Sequence, residues 1–62
     1  MRENIIQKRK ELGLTQKAAA KQIGIAQPSY CDIEHGKKNP SVNTAKAIGQ
    51  VLGINWAELF EE

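Results

Sequence analysis

Glycine punctuates this chain at intervals that leave room only for short helices. Gly13, Gly24, Gly36 and Gly53 each follow a run of helix-forming residues, and no stretch between them alternates apolar and polar residues as a half-buried strand would. The breaks predict five short helical segments. The first covers about residues 2–12, with Ile5, Arg9 and Leu12 on one stripe. Thr15 is the N-cap expected for the second, over about 16–23, where consecutive alanines favour helix strongly. Gly24 closes it, with Ile25 and Ala26 forming a tight turn.

The third segment starts near Pro28 and runs to about residue 35. Proline suits a first helical turn and disfavours α geometry in the residue before it, which makes Gln27 the expected cap. Tyr30 and Ile33 form the apolar side. The loop K-K-N-P leads to Ser41, a good N-cap for a fourth helix over 42–52, with Ala45, Ile48, Val51 and Leu52 facing inward. The last segment opens on N-W-A-E. Asn55 caps it, Glu58 holds the third helical position as in a capping box, and Ile54 can staple to Leu59. Trp56, Leu59 and Phe60 make its apolar face, Leu59 and Phe60 belonging to the core. The expected fold is all-α, five short helices around one core, with residues 1–62 forming a single domain.

Such a chain lies near the lower size limit for unaided folding. Its one cysteine permits no internal disulfide, so packing alone must hold it, as in a reducing cytoplasm. No apolar run approaches the roughly 18 residues of a membrane span. The start, M-R-E-N-I-I-Q-K-R-K, places charges where a signal peptide needs apolar residues. A soluble cytoplasmic domain is expected. The net charge of +2 conceals an asymmetry: residues 1–46 hold all nine basic residues against four acids, whereas 47–62 hold Glu58, Glu61 and Glu62 and no base. A basic body with an acidic tail suits a polyanion on one side.

The sole cysteine and sole histidine, Cys31 and His35, stand four residues apart in the third segment, near Asp32 and Glu34. That spacing puts them on one helix face. A structural zinc site takes roughly four ligands, typically thiolates and imidazoles, and this pair supplies half of them. The expectation is therefore no metal, no cofactor, and Cys31 and His35 as bystanders. Nor is there a nucleophile–base pair, a glycine-rich phosphate loop or a paired set of carboxylates, so no enzyme is indicated.

Two helices joined by a short glycine-bearing turn make a helix-turn-helix, here L-G-L-T-Q-K-A-A-A-K-Q-I-G-I-A-Q-P-S-Y-C-D-I-E-H-G-K-K-N-P-S. The chain resembles the phage repressor/Cro-type (XRE-type) helix-turn-helix DNA-binding family from Ile5 to Phe60. The marks are Arg9, G-L-T-Q at 13–16, Ala20, Gly24, I-E-x-G at 33–36, Pro40 and the closing L-G-I-N-W-A-E-L-F. The resemblance implies that the third helix enters the major groove of double-stranded DNA while the second lies across the backbone.

It also implies roles for single residues. Gln16 and Lys17, at the start of the second helix, meet phosphate. Gln27, Pro28, Ser29 and Asp32 match the base-reading positions. Gln27 can bond an adenine edge, Ser29 a base or phosphate, and Pro28 can only touch, for instance, a thymine methyl. Asp32 can accept from cytosine N4 or stand aside as a spectator. Lys37, Lys38 and Asn39 run beside the backbone, the lysines neutralising phosphate. Arg9 and Glu34 match a structural ion pair joining the first helix to the end of the third. Ala19 stands where leucine is usual and Tyr30 where a smaller aliphatic residue is usual, so the ring can fill the space that the leucine leaves.

The function implied is a transcriptional regulator, a repressor of phage or bacterial type that binds a pseudo-palindromic operator as a homodimer, with Trp56 and Phe60 at the candidate dimer surface. The same fold also serves an antitoxin or a restriction–modification controller. A third helix without lysine or arginine leaves open a protein-binding adaptor, and a protein partner such as a toxin or anti-repressor is unspecified.

Overall fold

A computed structural model describes residues 1–60; Glu61 and Glu62 of the acidic tail lie outside the described residues. Four α-helices follow one another, α1 (Glu3–Glu11), α2 (Gln16–Ile23), α3 (Gln27–Glu34) and α4 (Val42–Leu52), and a 3-10 helix (Trp56–Phe60) closes the chain. There is no strand among the described residues. The architecture is all-α.

Local chemistry sets the boundaries. Thr15 Oγ1 accepts the Ala18 N–H at 3.0 Å, and Ser41 Oγ accepts the Thr44 N–H at 3.2 Å, so α2 and α4 each begin on a side-chain cap. Gly24 ends α2 at φ 93°, a left-handed conformation that a side chain would strain. That turn swings the chain into α3, and α2 packs against α3 as the two helices of a helix-turn-helix.

Ile5, Ala19, Ala20, Ile23, Tyr30, Ile33, Ala45, Ile48, Leu52 and Leu59 form the core. Ala19 and Tyr30 are both fully buried, consistent with the ring occupying room that a larger residue at 19 would need. Val51 packs on the core only in part.

Four local expectations change. The last segment is a 3-10 helix rather than a fifth α-helix: Glu58 N–H bonds Asn55 O at 3.0 Å, the tighter i to i+3 pattern used by short terminal pieces. Leu12 is exposed, because it is the C-cap of α1; the chain turns at Gly13, and Leu14 packs on the core instead. Phe60 is also exposed, while Leu59 is buried. Ala26, in extended geometry, is the N-cap of α3, so Gln27 becomes its first helical residue and Pro28 its second. A missing N–H costs nothing in that first turn, where backbone donors have no intrahelical partner. The side chain of Gln27 is thereby released from capping.

Gly49 fixes how α4 meets the 3-10 helix. A Cβ there would stand 2.8 Å from Ile54 O and 3.0 Å from Trp56 Cβ. No side chain fits between them.

Candidate nucleic-acid interface

α3 has an inner face locked into the protein and an outer face left to solvent. Tyr30 and Ile33 bury the inner face, and Glu34 beside them is 1% exposed although charged. Burial alone would push the Glu34 carboxyl up. Hydrogen bonds from Arg9 and Gln16, with the nearby Tyr30 hydroxyl adding to them, outweigh it and hold the group below its ordinary value of 4.5. The main partner is Arg9, whose Nε donates to Glu34 Oε2 at 2.6 Å while its Nη1 donates to Leu14 O at 2.9 Å. Arg9 is raised in turn, first by its bond to Glu34. One ion pair thus joins α1, the α1–α2 turn and the end of α3.

Gln16 and Cys31 extend this network. Gln16 Nε2 donates to Glu34 Oε1 at 3.0 Å, and Cys31 Sγ donates to Gln16 Oε1 at 3.2 Å. Gln16 is therefore turned inward and half-buried, not simply extended toward solvent. Cys31 is no bystander, since it helps orient that amide across the α2–α3 contact. His35 is exposed at the C-cap of α3. No group of three or more His, Cys, Asp or Glu among the described residues is placed to hold a metal ion. The Tyr30 hydroxyl feels both Glu34 and Arg9, and burial is the main cause that pushes it far above the ordinary phenol value. It nonetheless has no partner at hydrogen-bonding geometry among the described residues.

The outer face carries Gln27 and Pro28, both exposed, with Ser29 and Asp32 half-buried beside them. The exposed loop residues Lys37, Lys38 and Asn39 run next to it. Lys38 Nζ reaches Ser29 Oγ at 3.5 Å, so loop and helix share one surface. The backbone N–H groups of Lys37 and Lys38 both bond Asp32 O, at 2.9 and 3.3 Å. Lys17, exposed in the first turn of α2, is the remaining member of the set.

The profile of the helix-turn-helix family matches residues 5–59. The chain belongs to the helix-turn-helix family. It is 40% identical over 62 residues to an uncharacterized HTH-type transcriptional regulator, YqaF, of Bacillus subtilis, covering all of this chain and 82% of that protein. A regulator of the same description from Sinorhizobium fredii is 36% identical over 56 residues, which are 90% of this chain and 73% of its own. One from Methanothermobacter thermautotrophicus is 40% identical over 53 residues, covering 86% and 77%. No solved structure matches the chain.

Arg2 was not legible as part of this helix-turn-helix surface. Its Nη1 donates to Ile33 O at 2.6 Å and to Lys38 O at 3.2 Å, its Nη2 to Asn39 Oδ1 at 2.5 Å, and its Nε to Leu59 O at 3.4 Å. Its backbone N–H adds a bond to Glu34 O at 2.8 Å. Three of the four side-chain acceptors are main-chain carbonyls, which leave no trace in a sequence.

Proposed function

We propose that this protein is a sequence-specific, double-stranded DNA-binding transcriptional regulator, a repressor of phage or bacterial type working in the cytoplasm, and not an enzyme. The observation that carries the reading is the division of α3. Its inner face is fixed by core packing and a buried ion pair, while its outer face presents side chains with hydrogen-bonding capacity to spare. Gln27 offers an amide suited to an adenine edge, Ser29 a hydroxyl for base or phosphate, and Pro28 an apolar surface for contact. Asp32 offers an acceptor for cytosine N4. Gln16 has two amide N–H groups, and Glu34 takes one, leaving the other for a phosphate at the start of α2. Lys17, Lys37 and Lys38 supply positive charge beside the backbone, and Asn39 a further amide. The HTH-type transcriptional regulators among its relatives support the same reading.

Charge also favours DNA over a protein-binding adaptor. α3 carries two acids and no base, but Glu34 is buried and paired with Arg9, so only Asp32 contributes negative charge to the outer face. One recognition helix reads few base pairs, so the protein binds a pseudo-palindrome as a homodimer, with recognition helices about one DNA turn, ~34 Å, apart. Trp56 and Phe60 are the candidate dimer surface. Phe60 is 47% exposed and meets Trp56 edge-on, with ring centroids 6.2 Å apart.

Titration of duplexes of defined sequence over a range of salt concentrations tests the reading. Gln27→Ala relaxes preference among bases. Lys38→Ala weakens all duplexes alike and lowers the salt slope by about one. Unchanged DNA affinity in both variants would contradict it.

A further inference from the structure

Arg2 stands outside every element that would touch DNA, yet it grips the two that form the proposed interface beside α2. Its guanidinium bonds the end of α3 through Ile33 O and the following loop through Lys38 O and Asn39 Oδ1. Its Nε reaches Leu59 O on the 3-10 helix, and its backbone N–H holds Glu34 O. Only the loop's own bonds to Asp32 O otherwise tie residues 37 and 38 to α3 through the backbone.

Accepting the DNA-binding reading, we propose that Arg2 is a positioning residue for the interface, setting the Lys37–Asn39 loop at a fixed height beside the outer face of α3. The chemistry assigns a second consequence. A guanidinium can only donate, so Asn39 must turn its amide oxygen toward Arg2 and its amide nitrogen outward. Asn39 then presents donors alone to an incoming partner. Donors suit phosphate oxygens and would not serve a partner that offers N–H groups. The Arg2 charge itself is spent on internal acceptors.

Two measurements on the whole protein separate this role from simple stabilisation and from direct charge. In the first, hydrogen exchange on the free protein is followed in wild type, Arg2→Ala and Arg2→Lys. The Lys37 and Lys38 amides exchange faster in both variants, while α2 and α4 amides keep their protection. In the second, DNA affinity and salt slope are measured well below the unfolding temperature for Arg2→Ala, Arg2→Lys, Lys38→Ala and the Arg2→Ala/Lys38→Ala double variant. Arg2→Ala weakens binding roughly tenfold and lowers the salt slope by about one. Arg2→Lys keeps the charge but lacks the planar fork, and it does not restore affinity. In the Lys38→Ala background, Arg2→Ala costs much less than it does alone, because the lysine it positions is gone.

Full rescue by Arg2→Lys, additive losses in the double variant, or unchanged exchange at Lys37 and Lys38 would each overturn the proposal. If Arg2→Ala does not fold, Arg2→Lys carries both measurements. Failure of the wild-type protein to bind any duplex would instead overturn the functional reading, and the exchange measurement would still decide whether Arg2 fixes the loop.

Discussion

Two arginines converge on the C-terminal end of α3, and they hold it by opposite means. Arg9 meets a side chain: Glu34, 1% exposed, answers it charge for charge at 2.6 Å. Arg2 meets the backbone, drawing the carbonyls of Ile33, Lys38 and Leu59 and the Asn39 amide onto one guanidinium that remains half-exposed. The first contact is a matter of stability, because either partner alone would be a stranded charge in a low-dielectric site. The second is a matter of placement, because each carbonyl can turn to water when the arginine is lost. A folded helix and a correctly set loop are therefore separate requirements on the same stretch of chain.

Breaking the Arg9 side produces the largest effect. Glu34→Ala leaves Arg9 without its carboxylate and costs roughly 3–5 kcal/mol in urea unfolding, enough to unfold much of a domain this small. The pair also makes stability depend on acid. Glu34 has a folded value below its ordinary 4.5, so its contribution is complete above that value and is lost as pH falls through the lowered one. Denaturation followed from neutral pH down to acid should show this loss in wild type and a flatter profile in Glu34→Gln. A profile unchanged by the substitution would remove Glu34 from the account.

Breaking the Arg2 side costs less. Arg2→Ala lowers stability by about 1–2 kcal/mol by chemical unfolding, the scale of charge-assisted hydrogen bonds discounted for solvent access. It leaves the acid profile of the Arg9–Glu34 pair intact. A loss as large as that of Glu34→Ala would erase the distinction between the two arginines. The smallest effect falls between them, at Tyr30. Its hydroxyl has no partner at bonding geometry among the described residues, so Tyr30→Phe changes stability by less than about 1 kcal/mol. A larger loss, measured by thermal unfolding, would mean that the hydroxyl belongs to the ion-pair network.

Legibility in the sequence follows the same line. Thr15, Ser41 and Gly24 were readable because a cap or a left-handed turn demands particular residue types. The Arg9–Glu34 contact was readable because its two ends are charged side chains at family-marked positions. Contacts made to backbone were not. Arg2 addresses carbonyls that every residue possesses, and Gly49 is needed because Ile54 O and the Trp56 backbone come close, a constraint with no partner residue to name. Helix ends misled as well. Leu12 fits the apolar stripe of α1 by periodicity, but the helix stops there and Leu14 takes the inward place. Phe60 reads as core by composition, yet a five-residue 3-10 helix turns only Leu59 fully inward. At the proposed interface, the sequence named the exposed residues of α3 but not the inward bonding of Gln16, because its partner Cys31 gave no sign of being a hydrogen-bond donor to it.

On the proposed function, the outer face of α3 reads DNA sequence. Selection of bound duplexes from a random pool tests it most directly. The expected result is an enriched pseudo-palindrome with half-sites about 10 base pairs apart, centre to centre, and a changed half-site when the pool is selected with Gln27→Ala. A pool that stays random, or one whose consensus is the same for wild type and Gln27→Ala, would contradict it.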